Sequence, residues 1–163
     1  MANVDEEHRN NEIVILIDAD AAPRDTIVTA DRLGAQFGAE VITISTVNHH
    51  FERTNHVLVD AHPQAVDMVI IARINRNKAY IVVTQDYGLA ALSLGKGARA
   101  ISPRGLIYTN DNIDRLLMER DIHARERRLS RRTKGPAART TEDAVQFAAA
   151  LEALLSEVIP SDA

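Results

Sequence analysis

Two aspartates follow an uninterrupted apolar run near the start of the chain. Residues 13 to 17 are all isoleucine, valine or leucine, and Asp18 and Asp20 come directly after them. An apolar run without alternation is typical of a strand that is covered on both faces of a parallel sheet. Because ligands bind at the carboxyl ends of strands in such sheets, both carboxylates stand at a usual binding position. Their like charges need a compensating cation, and a divalent metal is the simplest one.

A third acid, Asp86, follows a later predicted strand, Tyr80 to Thr84, in the same way. If the first strand is central in a doubly wound sheet, this fourth strand is its neighbour, and the crevice between their ends is the usual binding position. Asp67, on the helix after the third strand, is the next acid that could reach the crevice. Mg²⁺ and Mn²⁺ prefer oxygen ligands and bridge carboxylates to phosphates, so the set predicts metal-dependent hydrolysis of phosphodiesters.

Helix capping is the alternative explanation of these acids. Asp20 can cap the helix that begins near Pro23, and Asp86 can cap the helix that follows it, because aspartate is a favoured N-cap residue. For each residue alone, capping is the better explanation. The joint placement of acids at two strand ends favours a functional role for the set.

The elements that must position these acids follow a strand-then-helix rhythm, which predicts a layered α/β fold with a parallel sheet of about five strands. The predicted strands are 13–17, 41–45, 56–59, 80–84 and 98–102. The predicted helices begin near Pro23, Pro63, Leu89, Ile113 and Thr140, and the spacing of Thr140 and Asp143 resembles a capping box.

Composition narrows the class of protein. The 163 residues, of which 45% are hydrophobic, predict a polar N-terminal tail over 1–12 and a single domain over 13–159, which includes the segment 125–139 and a C-terminal helix. The chain has no cysteine, which excludes disulfides, thiolate zinc sites and cysteine nucleophiles. No apolar run approaches the roughly 18 residues of a membrane span, so we expect a cytoplasmic protein without a membrane partner.

The net charge of −4 is unevenly distributed. The segment 125–139 has seven basic residues against one acid and a net charge of +6, so the rest of the chain carries −10. Such a segment can steer a polyanion toward the acids, or it can be a solvated linker and helix surface. The nucleic-acid contacts predicted within it are Arg127, Arg128, Arg131, Arg132 and Lys134.

A series of motifs in one order resembles the YaiI/YqxD family of uncharacterised bacterial proteins. The resemblance covers about residues 13 to 155 and rests on the segments 18–23, 65–67, 83–91, 96–98, 101–105, 108–109, 112–113, 127–128 and 133–136. It implies a PIN-like three-layer α/β/α sandwich and, by analogy with PIN nucleases, a magnesium- or manganese-dependent ribonuclease site. Asp18, Asp67 and Asp86 match the acids expected to line that site, with Asp20 close by.

The chain departs from the family pattern at two places. Members often have cysteine before the proline of the first motif, where this chain has Ala22, so a thiol is not essential here. Many members also have a glycine and an additional aspartate just before the Asp67 motif, where this chain has His62 and Gln64.

Three hypotheses follow. In the first, the protein cleaves RNA or another nucleic acid, with Asp18, Asp67 and Asp86 holding Mg²⁺ or Mn²⁺ and with Asp20 as a further ligand or as a base. In the second, the crevice is a non-catalytic metal- or nucleotide-binding site, and the basic segment docks nucleic acid. In the third, the acids are helix caps and the basic segment is an oligomer contact.

Overall fold

The computed structural model describes residues 12–46, 53, 55–62, 64–130 and 138–158. They form six strands, at Ile13–Asp18 (β1), Glu40–Ser45 (β2), His56–Leu58 (β3), Ala79–Val83 (β4), Arg99–Ile101 (β5) and Ile107–Tyr108 (β6). They also form five helices, at Arg24–Phe37 (α1), Ala65–Arg73 (α2), Tyr87–Gly95 (α3), Asn110–Ser130 (α4) and Thr141–Val158 (α5). Pro63, the predicted start of the second helix, lies outside the described residues, and α2 begins at Ala65.

The strands form one sheet in the order β3-β2-β1-β4-β5-β6. The first strand is central and pairs in parallel with both β2 and β4, which confirms the predicted doubly wound arrangement. The sheet has one strand more than predicted. β6 has two residues and runs antiparallel to β5, and a strand of that length is too short to show a period in the sequence.

Helices cover both faces of the sheet, which confirms the three-layer α/β/α sandwich. On one face, Ile15 of β1 packs in a cluster with Leu33 of α1 and Phe147 of α5. On the other face, Leu16 packs in a cluster with Ile70 of α2. Both faces of β1 are therefore buried, and this explains why its sequence is apolar at every position from 13 to 17.

Strand alternation decides which way the first acid points. Asp18 follows Leu16 on the face covered by α2, because successive side chains of a strand point to opposite faces. Thr84 follows Val82 of β4 on the same face, since Leu16 pairs with Val82. Asp18 and Thr84 therefore leave the sheet side by side.

The fourth helix is much longer than the sequence predicted. Its apolar pattern ends at Met118, but α4 continues to Ser130 and so includes the first part of the basic segment. The last helix begins with the predicted capping box: the Thr140 hydroxyl accepts a hydrogen bond from the Asp143 N–H, and the Asp143 carboxylate accepts one from the Thr140 N–H. Among the described helices, none has the length and apolarity needed to cross a bilayer.

Candidate functional site

All four predicted aspartates line one cavity of about 770 Å³ at the carboxyl ends of β1 and β4. Asp18 is the last residue of β1, and Asp20 lies in the loop that follows. Asp67 is in the first turn of α2, and Asp86 directly precedes α3. The structure thus brings together acids that are up to 68 positions apart in the sequence.

Asp18 is the most perturbed of the four. The pKa of its carboxyl is raised to about 6, chiefly by burial; the hydrogen bond from Thr84 opposes this rise, and the charges of Asp67, Asp20 and Asp86 add to it. A carboxyl with a pKa near the working pH can take up and release protons, or it can exchange its proton for a cation. Asp67 shows the same effect, since burial and then the charge of Asp86 raise its pKa.

Thr84 organises the site, a role that its sequence motif did not reveal. Its side chain is buried, and its hydroxyl donates to Asp18 Oδ2 over 2.9 Å and accepts from the Asp86 N–H over 3.0 Å. Its carbonyl accepts a hydrogen bond from the Tyr108 hydroxyl of β6. One residue therefore connects two of the acids and ties both to the short antiparallel strand.

Replacing Thr84 by valine tests this arrangement. Thr84→Val has nearly the same shape but no hydroxyl, so the pKa of the Asp18 carboxyl is expected to rise above its wild-type value of about 6. Carboxyl carbon chemical shifts followed through a pH titration measure that change. Thr84→Ser keeps the donor and is the control. An Asp18 pKa that is equal in the valine and serine variants would contradict the assigned hydrogen bond.

Capping explains part of the role of Asp86 and none of the role of Asp20. Asp86 is the N-cap of α3, and its Oδ1 accepts from the N–H groups of Gly88 and Leu89 over 2.8 and 3.2 Å. The N-cap of α1 is Pro23, without a side-chain cap, so the capping explanation of Asp20 is wrong. Both oxygens of Asp20 instead accept from the Thr46 N–H over 3.1 Å, which ties this loop to the end of β2.

The donor set suits a hard cation that keeps most of its own water. Among the described residues, no three His, Asp or Glu side chains are close enough together to enclose a metal ion. Mg²⁺ commonly binds through one or two carboxylates and completes its shell with waters and substrate phosphates. The cavity has room for such waters, and its carboxylate oxygens are the ligand type that Mg²⁺ and Mn²⁺ prefer.

Arg120 also lines this cavity and was not among the site residues predicted from the sequence. It lies on α4, beyond the part of that helix that the apolar pattern revealed. Extending the helix by its own period would have indicated the position, because Arg120 is four residues after the buried Leu116 and so continues its face.

The basic segment divides into parts with different surroundings. Arg127 and Arg128 are exposed on α4, whereas Arg131, Arg132 and Lys134 lie outside the described residues. Arg139, at the end of the segment, is held in the fold by a salt bridge to Asp25 and a hydrogen bond to the Pro103 carbonyl. The segment is therefore not a linker over its first part, since that part is helical.

Comparison with known proteins identifies relatives that match most of the chain. The chain is 43% identical over 143 residues to a UPF0178 protein of Heliobacterium modesticaldum, which is 88% of this chain and 97% of the relative. It is 45% identical over 131 residues to a UPF0178 protein of Clostridium tetani, which is 79% of this chain and 87% of the relative.

Among solved structures, a tryptophan-to-leucine mutant of Rae1 (YacP) from Bacillus subtilis is similar at 22% identity and a TM-score of 0.44, covering 88% of this chain and 98% of that one. At this level the likeness is too weak to bear on function. The protein-family model described as "Uncharacterized BCR, YaiI/YqxD family" matches residues 16–157, which include all four aspartates of the cavity. By this match and by the identity to its relatives, the chain belongs to the YaiI/YqxD family.

Proposed function

We propose that the protein is a nuclease that depends on Mg²⁺ or Mn²⁺ and hydrolyses RNA phosphodiester bonds. The observation that carries the proposal is the convergence of four carboxylates from three separate chain segments in one cavity at the carboxyl ends of two neighbouring strands. Holding like charges close together, two of them on the half-buried Asp18 and Asp67, costs stability, and a fold keeps such an arrangement where a cation or a proton is to be exchanged.

Asp18, Asp67 and Asp86 are the proposed metal ligands, of which one or two would bind the ion directly and the rest would bind it through its waters. When bound there, the metal would activate water and stabilise the charge that develops on the phosphodiester. The Oδ1 of Asp86 accepts the hydrogen bonds that cap α3, so its Oδ2 is the oxygen that would bind the metal. Asp20 is oriented by the Thr46 N–H and would accept a proton from an attacking water at one of its carboxylate oxygens.

The basic side chains supply the second part of the proposal. The exposed Arg127 and Arg128 on α4 would steer the polyanion toward the cavity, together with Arg131, Arg132 and Lys134. Binding through such contacts falls steeply with salt, because each neutralised phosphate releases counterions.

Cleavage of a single-stranded RNA substrate with Mn²⁺, Mg²⁺ or EDTA tests the proposal. We expect cleavage only with metal, and an increase as the pH rises through about 6, since the proton on Asp18 competes with the cation. Asp86→Asn is expected to lose about a hundredfold or more of the rate while it keeps its fold, because asparagine caps a helix as well as aspartate does. Asp114→Asn, on the exposed surface of α4, is the matched control. Cleavage that persists in EDTA or is equal in the two variants would refute the assignment.

A non-catalytic binding module is the second candidate, and specific observations favour it. Within the described part of the chain no three ligand side chains are grouped closely enough to enclose a metal, and the carboxylates of Asp20 and Asp86 already accept backbone hydrogen bonds. This candidate predicts salt-dependent RNA binding without cleavage under any divalent metal. The same assay therefore separates the two functions.

A further inference from the structure

Arg120 occupies a distinctive position on α4. The face of α4 that packs on the body of the protein is formed by the buried Ile113 and Leu116. Arg120 lies four residues after Leu116 and Arg127 seven residues after Arg120, so both continue that face at a helical period. Beyond Leu116, this face of α4 therefore carries arginines in place of apolar side chains, and the first of them lies at the cavity.

The Arg120 guanidinium reaches the acidic cavity from the α4 side. It is one of the cavity-lining residues, together with Asp18 and Asp86, and its Nη1 is 3.9 Å from the position that a Cβ on Gly88 would take. Gly88 is in the first turn of α3, two residues after the N-cap Asp86. The side chain is 48% exposed, so it stands at the edge of the cavity and is accessible from solvent.

A nucleic-acid backbone needs a fixed cation at this place. Four carboxylates repel a phosphodiester anion, and a metal can offset only part of that repulsion. Of the described residues that line the cavity, Arg120 alone carries a permanent positive charge. A guanidinium also has the planar array of donors that holds a phosphate through two hydrogen bonds. Its ion pair with the neighbouring Asp121, over 3.8 Å at the surface, is of the weak kind that a phosphate can replace.

We propose that Arg120 binds a phosphate of single-stranded RNA at the edge of the acidic cavity, and that Arg127 binds a second phosphate about 10.5 Å further along the α4 axis. The RNA would then run along α4 and bring one phosphodiester beside Asp18 and Asp86. The inference deepens the proposed function, since it rests on the cavity being the place where RNA is cleaved. It can nevertheless be tested without cleavage.

Binding in the presence of EDTA is the test. A fluorescein-labelled oligouridylate of about twelve nucleotides is titrated with the full chain, and anisotropy is followed from about 50 to about 200 mM salt. Arg120→Ala is expected to weaken binding about tenfold at the lowest salt and to reduce the slope of log Kd against log salt by about 0.7. Arg120→Lys keeps the charge without the two parallel donors and is expected to lie between the alanine variant and the wild type.

Arg115→Ala is the matched control. It removes the same charge from the same helix, but Arg115 lies about 140° around the axis from Arg120, is 67% exposed and pairs with Glu119. We expect its binding to remain close to wild type. Circular dichroism of each variant confirms the fold and gives its melting temperature.

The outcomes are distinct. A selective loss in Arg120→Ala supports the inference even if no metal produces cleavage, in which case the nuclease proposal alone fails. Equal binding by Arg120→Ala and Arg115→Ala overturns the inference, even if metal-dependent cleavage is observed. A lower melting temperature of Arg120→Ala with unchanged RNA binding also overturns it, because Arg120 would then only neutralise the acids within the fold.

Discussion

Asp18→Asn is expected to abolish metal-dependent cleavage and, at the same time, to make the metal-free protein more stable at neutral pH. The pKa of the Asp18 carboxyl is raised from 3.8 to about 6, chiefly by burial, so the ionised form destabilises the folded state. A shift of that size corresponds to roughly 2 to 3 kcal/mol of unfolding free energy at neutral pH. Asparagine has almost the same shape, and its side-chain oxygen can still accept the Thr84 hydrogen bond.

The pH dependence follows from the direction of the shift. Below pH 3.8 the carboxyl is protonated in both the folded and the unfolded chain, so no buried charge destabilises the folded state. As the pH rises from 3.8 to about 6, the unfolded chain releases its proton first, so the stability of the wild type falls. Above about 6 the loss is complete and constant. Asp18→Asn lacks this titration, and the difference between variant and wild type is expected to grow over that interval.

Urea unfolding in EDTA at a series of pH values measures both effects. Asp114→Asn changes an exposed residue outside the cavity and is expected to alter stability by less than about 0.5 kcal/mol. If Asp18→Asn were no more stable than wild type at neutral pH, the burial cost assigned to Asp18 would be wrong. Higher stability together with lost cleavage is the combination expected of a residue kept for function.

Gly105→Ala is expected to destabilise the fold by about 3 kcal/mol or more, the largest effect on stability that we predict. Gly105 has a φ of +89° in the turn between β5 and β6. A Cβ at this position would lie 2.6 Å from the Gln146 carbonyl carbon and 2.8 Å from the Phe147 nitrogen. Both atoms belong to the backbone of α5, so neither can rotate away. The turn also precedes Tyr108, whose hydroxyl supports Thr84 beneath the acids.

Gly97→Ala separates backbone strain from the steric clash. Gly97 has nearly the same φ, +87°, but no atom lies within 4 Å of its ideal Cβ position. Its replacement is therefore expected to cost only about 1 kcal/mol. The difference between the two variants, measured by urea unfolding, gives the cost of the clash with α5. Equal losses would show that α5 does not pack against this turn as described.

Local sequence patterns indicated the part of the site that depends on strand ends. The unbroken apolar run of residues 13–17 indicated a strand buried on both faces, and this placed Asp18 at its carboxyl end. The common doubly wound strand order, once assumed, made β4 its neighbour and placed Asp86 at the same edge, and the structure confirms this pairing. Patterns failed where no apolar period exists, as in the two residues of β6 and the charged second half of α4.

The sequence by itself determined the layered fold and the positions of Asp18 and Asp86 at strand ends, because these depend on hydrophobic period and chain order. The strand order, in which β1 is central and β4 is its neighbour, was assumed from the sequence and is established by the structure. Only the tertiary structure decided that Asp20 accepts a hydrogen bond from the Thr46 N–H and does not cap a helix. It also decided that Thr84 links two of the acids and that Arg120 reaches the cavity. It also decided the raised pKa of Asp18. Hydrogen bonds, burial and charge proximity join residues that are distant along the chain, and no local pattern records those distances.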